Sequence, residues 1–221
     1  MSRILYDKKT LGLLTTAELL IMTLLVVFDI LLPSLLIIAV GAGFLLLRKE
    51  KPLFFNKTTL KKPVGFILSM GGIAVLLTIF NYALLIPVLN RITGTAQSMG
   101  IFADLQGNTG LMLFLLGYSW VIAALGEEIA YRGFFQNRII SIFPKEKFGI
   151  VIAVVVTSVL FGLMHGEQGI VGMVNTCFDA VIFSIIRYKY KSIWASVLVH
   201  GFSNTIGILA FYFLGPLNGL W

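Results

Sequence analysis

Long apolar runs separated by short polar segments make up most of the chain. Seven runs are rich in Leu, Ile and Val without alternation of polar and apolar positions: 11–28, 32–47, 64–89, 110–131, 149–165, 169–187 and 193–213. A membrane-spanning helix needs about 20 apolar residues, and several runs reach or approach that length. A β-barrel would instead show alternating segments of about ten residues. The pattern predicts an all-α, polytopic transmembrane helix bundle with about seven spans.

Composition agrees with a membrane protein. Of the 221 residues, 58% are hydrophobic and 12% are charged, with a mean hydropathy of +0.95, whereas soluble proteins are about 25% charged. No repeat or long linker divides the chain, so residues 1–221 are expected to form a single membrane-embedded domain. The first run leads to Asp29 and Pro33 rather than to a cleavage site, so the first helix is expected to stay. The single cysteine, Cys177, lies in an apolar run and is expected to pack there.

The basic residues predict an orientation. Lys and Arg concentrate near the N-terminus and in the segments 48–62, 138–147 and 187–191, which alternate with loops that contain few of them. By the positive-inside rule, the N-terminus is predicted to be cytoplasmic and the segment 215–221 to lie outside. Because topology accounts for the net charge of +7, no nucleic-acid partner is expected. The polar segment 93–108 is predicted to be either an interfacial helix or a loop.

Two adjacent carboxylates and an arginine interrupt the fourth apolar run. Glu128 and Arg132 are four residues apart with the acid first, which is the favoured order for a helical ion pair. Glu127 points about 100° away around the helix and can meet a different partner. Ionisable groups are costly inside a bilayer, so each one is a candidate for function. Because Glu128 is expected to pair with Arg132, Glu127 is predicted to be the chemically available carboxylate. Two alternatives stay open: the reverse assignment, and a charge cluster that only reaches toward the interface.

The only two histidines of the chain each lie one helical turn from another residue of interest. Phe161 precedes His165 by four residues, and Asn204 follows His200 by four. A single such histidine is more often a packing residue, but the joint pattern favours chemistry. Imidazole titrates near pH 6.5 and exchanges protons at neutral pH, and an amide can donate to an oxyanion. With Glu127, these residues predict a site for acyl hydrolysis.

Spacing along the chain predicts the relative levels of these residues. Glu127 and His165 are equally far from Glu146, so an antiparallel hairpin that turns there places them level. His200 lies only about two turns above the predicted cytoplasmic loop and fits this level less well. A tilt, or a break in the fifth helix near Gly162, would bring the three residues together.

The other polar residues of the apolar runs have no spacing that assigns them chemistry. Asp29 is predicted to lie in an outer turn, and Glu167 is predicted to be a loop charge. Asp179 is a candidate to orient a histidine. The remaining members of this group are Glu18, Asn81 and Asn175.

Three short motifs occur in order on successive hydrophobic runs. They are Glu127-Glu128-x-x-x-Arg132, Phe161-x-x-x-His165 and His200-x-x-x-Asn204. In this order they resemble the CPBP family, which contains type II CAAX prenyl endopeptidases and bacteriocin-processing or self-immunity (Abi) membrane proteases. The resemblance covers 110–213, which is predicted to be the motif-bearing catalytic half.

The resemblance implies an intramembrane endopeptidase that works without a cofactor. The residues matching Glu127 and His165 would activate water, and those matching His200 and Asn204 would form the oxyanion hole. The implied partners are the lipid bilayer and a membrane-associated peptide or protein substrate, which need not be prenylated. The implied location is a bacterial cell membrane, and no oligomeric state is predicted. The supporting motif residues are Glu128, Arg132 and Phe161.

Two other functions stay open. Glu127 and the two histidines could form a three-ligand zinc site, although the His-Glu-x-x-His signature is absent. Alternatively, the buried ionisable groups could act as relays in a transporter, or belong to an immunity protein without proteolysis. The inverted repeats and paired broken helices of many transporters are not apparent in the sequence.

Overall fold

The described part of the protein, residues 7–28, 30, 32–51, 63–98 and 100–215 of a computed structural model, contains helices and no strands. The α-helices are α1 Lys8–Val27, α2 Pro33–Arg48, α3 Pro63–Phe80, α4 Ile86–Thr93, α5 Thr109–Tyr118, α6 Gln136–Ser141, α7 Glu146–Leu163, α8 Gly169–Tyr190 and α9 Ile193–Leu214. Wider π-helical segments, Asn81–Leu85 and Ser119–Phe135, join α3 to α4 and α5 to α6. Short 3-10 helices cover Gly100–Asp104 and Gly166–Gln168.

Among the described residues, six helices are long and apolar enough to cross a membrane, and α2 is a shorter apolar helix. Large apolar side chains project from the bundle, such as Leu68 and Leu76 of α3, each 69% exposed. In water such a surface would be unfavourable, whereas lipid contacts it without cost. The predicted all-α bundle is confirmed, and the chain is an integral, multi-pass membrane protein.

Local sequence explains several helix starts. The Asp7 side chain caps α1 by accepting a hydrogen bond from the backbone N–H of Thr10 at 2.7 Å. Asn108 caps α5 in the same way through the N–H of Leu111 at 3.1 Å. Pro33 is the first residue of α2, where its missing N–H is not needed.

The fourth predicted span is longer than its apolar run. One continuous helix, which we call the long helix, covers Thr109–Ser141 and passes the predicted end at 131. Its polar continuation is buried and hydrogen-bonded: Gln136 donates to the Thr157 and Ser184 hydroxyls at 2.9 and 2.8 Å. Polar residues therefore extend the helix because partners inside the bundle satisfy them.

The fifth span is shorter than predicted, because α7 ends at Leu163. The predicted fifth span of 149–165 includes His165, and this is wrong, because His165 occupies the turn that follows α7. Its backbone N–H bonds to the carbonyl of Gly162 at 3.0 Å, a tightened last turn. The helix is continuous through Gly162 and ends one residue later, so the expected break within the fifth helix is replaced by a helix end just before His165.

Polar contacts identify the two ends of the bundle. At one end, Arg138 lies 2.6 Å from Glu18 and 3.3 Å from Glu50, and Arg48 lies 3.1 Å from Glu18. Glu18, which the sequence left unassigned, is therefore a buried partner of two arginines that join α1, α2 and α6. We call this the basic end.

At the opposite end, the segment 93–108 is a loop with one 3-10 turn rather than an interfacial helix. The N–H of Ser98 donates to the carbonyl of Gln168 at 2.9 Å, and the side chains of Gln97 and Gln168 are joined at 2.9 Å. The N–H of Gly107 donates to the carbonyl of Tyr212 at 3.1 Å. We call this the loop end, and His165 lies beside it.

Some sequence predictions fall on parts of the chain outside the described residues. These are the outer turn at Asp29, the basic residues of 1–6 and 52–62, and the outer segment 216–221.

Candidate active site

A cavity of about 650 Å³ lies among the helices. Its lining includes all four predicted catalytic residues: Glu127, His165, His200 and Asn204. The long helix supplies the first, the turn after α7 the second, and α9 the other two. The four residues therefore line one cavity, as expected, while their chemical roles stay predictions.

Two close helix contacts bring the elements of the cavity together. A Cβ atom added to Gly162 would lie 2.5 Å from the carbonyl oxygen of Met173, so α7 and α8 touch at the His165 end. A Cβ atom added to Gly201 would lie 2.5 Å from the Trp120 ring, so α9 and the long helix touch beside His200. Small residues allow such approaches in membrane bundles.

Glu128 and Arg132 form the predicted ion pair beneath the cavity. Arg132 Nη1 lies 3.2 Å from Glu128 Oε1, and both side chains are fully buried. Arg132 Nη2 also donates to the carbonyl of Ala180 at 3.0 Å. The guanidinium carbon lies 4.7 Å from the ring centroid of Phe161 and 5.7 Å from that of Phe183, within cation–π range. The pair therefore connects the long helix to α8 through the Ala180 carbonyl and to α7 through the Phe161 ring.

His200 contacts Glu128, a contact that the sequence did not predict. Its Nδ1 lies 3.1 Å from Glu128 Oε1. An ionised carboxylate only accepts hydrogen bonds, so Nδ1 carries the hydrogen and Nε2 is the nitrogen available for other contacts. The ring also stacks on Phe183, with centroids 4.7 Å apart and planes 17° apart. The position of the His200 ring is therefore fixed, with Nδ1 directed to Glu128.

His165 is oriented by the backbone. Its Nδ1 lies 2.8 Å from the carbonyl oxygen of Phe161. Since a carbonyl only accepts, Nδ1 carries the hydrogen, and Nε2 of the neutral ring is an acceptor. The ring also packs against the Phe161 side chain at 4.9 Å between centroids. The spacing of four residues thus places the His165 ring against the carbonyl and the side chain of Phe161.

Glu127 differs from its neighbour Glu128. It is half-buried and lines the cavity. Its Oε2 is buried and has no hydrogen-bond partner among the described residues. Both carboxylates lie in the segment Ser119–Phe135, and wider helical turns occur frequently at functional sites.

Asp179 does not orient a histidine through any contact of the described residues. Instead, its Oδ1 accepts from Asn81 Nδ2 at 2.8 Å and its Oδ2 from Asn175 Nδ2 at the longer distance of 3.5 Å. All three residues line the cavity. The spacing of Asn175 and Asp179 along α8 was visible in the sequence, but Asn81 is remote in the chain and gave no signal.

The cavity lining is acidic. Its described residues include three carboxylates, Glu127, Glu167 and Asp179, and no Lys or Arg. Glu167 lies on the exposed 3-10 helix at the loop end, which agrees with its prediction as a loop charge.

Within the described ranges, no group of three or more His, Cys, Asp and Glu side chains is arranged to hold one metal ion. One nitrogen of each histidine is directed to a protein oxygen, on Phe161 or Glu128. These contacts leave the other nitrogen of each ring available, and the metal-free mechanism stays a prediction that chelation tests.

Comparison with known proteins identifies the motif-bearing half. Residues 109–206 match the family model described as type II CAAX prenyl endopeptidase, Rce1-like. The match includes every residue of the three motifs. No curated protein and no solved structure matches the chain. The segment 109–206 is therefore similar to the Rce1-like type II CAAX prenyl endopeptidases, and the resemblance predicted from the motifs is confirmed over that segment.

Proposed function

We propose that the protein is an intramembrane endopeptidase that hydrolyses a peptide bond of a membrane-associated protein or peptide. One observation carries this proposal: two adjacent carboxylates have different surroundings. Glu128 is held by Arg132 and His200, whereas Glu127 lines the cavity with an oxygen that has no partner among the described residues. The match of 109–206 to a peptidase family model supports the same assignment.

In the first step, Glu127 acts as the general base. A water molecule between its carboxylate and Nε2 of His165 transfers a proton to Glu127 as its oxygen attacks the carbonyl carbon of the substrate. His165 orients the water by accepting its second hydrogen, because Nδ1 is occupied by the Phe161 carbonyl. The carbonyl double bond becomes a single bond, and negative charge develops on its oxygen.

In the same step, His200 and Asn204 stabilise the tetrahedral oxyanion. The side-chain amide of Asn204 donates one hydrogen bond. His200 donates the other from Nε2, which requires the doubly protonated ring because Nδ1–H is directed to Glu128. The Glu128 carboxylate is the counter-charge for that ring, and donors placed in advance in a dry site are effective.

In the last step, the carbon–nitrogen bond breaks as the oxyanion re-forms a carbonyl. Glu127 returns its proton to the leaving nitrogen, which departs as an amine. The other product is a carboxylic acid, which then ionises. Every proton in this cycle moves between Glu127, the water and the substrate.

The experiment compares Glu127→Gln with the parent. The purified protein in detergent is given a peptide whose cleavable bond lies beside a membrane-spanning helix. The amide keeps the shape of the side chain but accepts no proton at neutral pH, so turnover should fall about 10²- to 10⁴-fold without loss of thermal stability. Glu167→Gln is the matched control, because it removes an exposed carboxylate from the same cavity and should retain most activity. Full activity in Glu127→Gln would contradict the site.

Chelation separates the metal-free mechanism from the zinc alternative. The metal-free mechanism predicts unchanged turnover after dialysis against a chelator, with metal content measured in the same samples. Loss of activity with the chelator and recovery with zinc would show a zinc enzyme instead.

A further inference from the structure

A second polar group in the same cavity is not used by the proposed reaction. It consists of Asn81, Asn175 and Asp179, which come from the π-helical segment after α3 and from α8. Asn81 is 7% and Asn175 8% exposed. We call this group the amide–carboxylate cluster.

The Asp179 carboxylate determines how the neighbouring amides point. Both oxygens of the Asp179 side chain accept from these amides: the NH₂ group of Asn81 faces Oδ1 at 2.8 Å, and that of Asn175 faces Oδ2 at 3.5 Å. The amide oxygens therefore point elsewhere. Each Oδ1 atom is buried and has no hydrogen-bond partner among the described residues.

The cluster therefore contains hydrogen-bond acceptors for which it provides no donor. A buried acceptor without a donor costs about 1 to 3 kcal/mol, and the cluster has two beside the Asp179 carboxyl group. A ligand with several N–H groups and a positive charge would satisfy all three residues. Ligands that present acceptors or negative charge would meet repulsion.

The rest of the cavity favours the same ligand. Its described lining contains two further carboxylates, Glu127 and Glu167, and no Lys or Arg. The nearby cation Arg132 is not part of the lining and is paired with Glu128. The described lining therefore contains no Lys or Arg that could occupy the cluster, and the His200 ring in the lining is held by Glu128.

We propose that the amide–carboxylate cluster binds a cationic N–H donor of the substrate, either a Lys or Arg side chain near the cleaved bond or an N-terminal ammonium group. This inference rests on the proposed function for the identity of its ligand, a peptide. It adds a specificity subsite, because the cluster holds the substrate while Glu127 acts on it.

The experiment measures binding in the Glu127→Gln background, so that peptides are not consumed. Fluorescent peptides carry one lysine at successive positions beside the cleaved bond, and matched peptides carry norleucine. For at least one position, the lysine peptide should bind about 10- to 100-fold more tightly, as expected for charge-assisted hydrogen bonds. N-acetylated versions form the second arm. If acetylation removes the gain and lysine position has no effect, the ligand is the N-terminal ammonium.

The isosteric change Asp179→Asn, added to that background, should abolish the preference. Asn175→Leu removes one amide oxygen but leaves the carboxylate, and should give a smaller loss. Glu167→Gln is the matched control: it removes a carboxylate from the same lining and should keep the preference. Thermal unfolding of each variant identifies any that fail to fold, and Asn175→Leu serves if Asp179→Asn is one of them.

The inference is overturned if neither lysine nor the ammonium improves binding, or if the preference survives Asp179→Asn. It is also overturned if Glu167→Gln abolishes the preference equally, since any negative charge would then suffice. Cleavage of the same peptides by the parent separates the two proposals. Cleavage without a cation preference rejects the cluster alone, whereas cation-dependent binding without cleavage supports the cluster and rejects the peptidase.

Discussion

Arg132 is a fully buried cation held by one carboxylate, one backbone carbonyl and two aromatic rings. Arg132→Ala removes the cation but leaves the Glu128 carboxylate buried beside His200. Breaking a buried pair on one side costs about 3 to 5 kcal/mol. We expect the free energy of unfolding, measured by denaturing-detergent titration, to fall by about that amount.

The control for this change is Arg91→Ala. Arg91 is an exposed arginine in the last turn of α4, and its removal should leave stability within about 0.5 kcal/mol. If Arg132→Ala were as stable as the parent but inactive, Arg132 would contribute to the reaction or to substrate binding rather than to folding.

His200 and Asn204 are expected to contribute less to turnover than Glu127. Loss of a single oxyanion donor lowers the rate about 10²- to 10³-fold, because the base and the water stay in place. His200→Ala and Asn204→Ala should therefore retain measurable cleavage, with kcat reduced and KM less affected. Steady-state kinetics on one peptide provide the test, and an unchanged kcat in both variants would contradict the oxyanion assignment.

At the scale of single residues, the sequence predicted contacts between residues close in the chain better than contacts between helices. The pair Glu128 and Arg132 was predicted from a spacing of four residues, and the same spacing accounts for the observed contact of His165 with the carbonyl of Phe161. The contact of His200 with Glu128 depends on how α9 packs against the long helix, and that packing has no local signature. The same reason explains why Asn81 was not assigned to Asp179.

At the scale of helices, the apolar runs predicted about seven spans; six described helices are long and apolar enough to span, α2 is shorter, and several ends were misplaced, two of them near the site. The long helix continues to Ser141 because buried partners satisfy polar residues such as Gln136. α7 stops early at Leu163, although the apolar pattern continues to Met164. Hydropathy reports whether a residue can face lipid, whereas these ends depend on partners supplied by other helices.

The contact between α7 and α8 gives a prediction at this scale. Gly162→Ala places a methyl group 2.5 Å from the carbonyl oxygen of Met173 and 2.9 Å from Cβ of Cys177. The helices must separate, which should cost about 1 to 3 kcal/mol of unfolding free energy. Because His165 follows three residues later, turnover should fall as well.

The matched control is Gly72→Ala in α3. Nothing lies within 4 Å of a Cβ atom added to Gly72, so the change should be neutral or stabilise the helix by up to about 1 kcal/mol. Denaturing-detergent titration compares the two variants. Equal stability of both would show that α7 and α8 have room to separate.

At the scale of the whole molecule, the basic residues and the mouth of the cavity lie toward opposite ends. The basic end carries the Lys and Arg residues of the segments 48–51, 138–147 and 187–191, whereas Arg91 is the single described Lys or Arg of the loop end. Ser98 and Glu167, both exposed at the loop end, line the cavity. The cavity therefore reaches the surface at the end that is poor in basic residues.

The positive-inside rule turns this asymmetry into a prediction about access. Cytoplasmic loops are enriched in Lys and Arg, so the basic end should face the cytoplasm and the loop end the opposite side. A peptide would then enter the cavity from the non-cytoplasmic face or from the bilayer. This orientation agrees with the predicted cytoplasmic N-terminus, which itself lies outside the described residues.

Cysteine labelling in intact cells tests the orientation. The single native cysteine is first removed as Cys177→Ala, and one cysteine is then introduced at an exposed site, either Ala96→Cys at the loop end or Lys145→Cys at the basic end. A membrane-impermeant maleimide should label position 96 in intact cells and position 145 only after permeabilisation. Both single-cysteine proteins should keep peptide cleavage, which shows that they are folded. The reverse pattern would place the cavity mouth in the cytoplasm, and substrates would then have to reach Glu127 from that side.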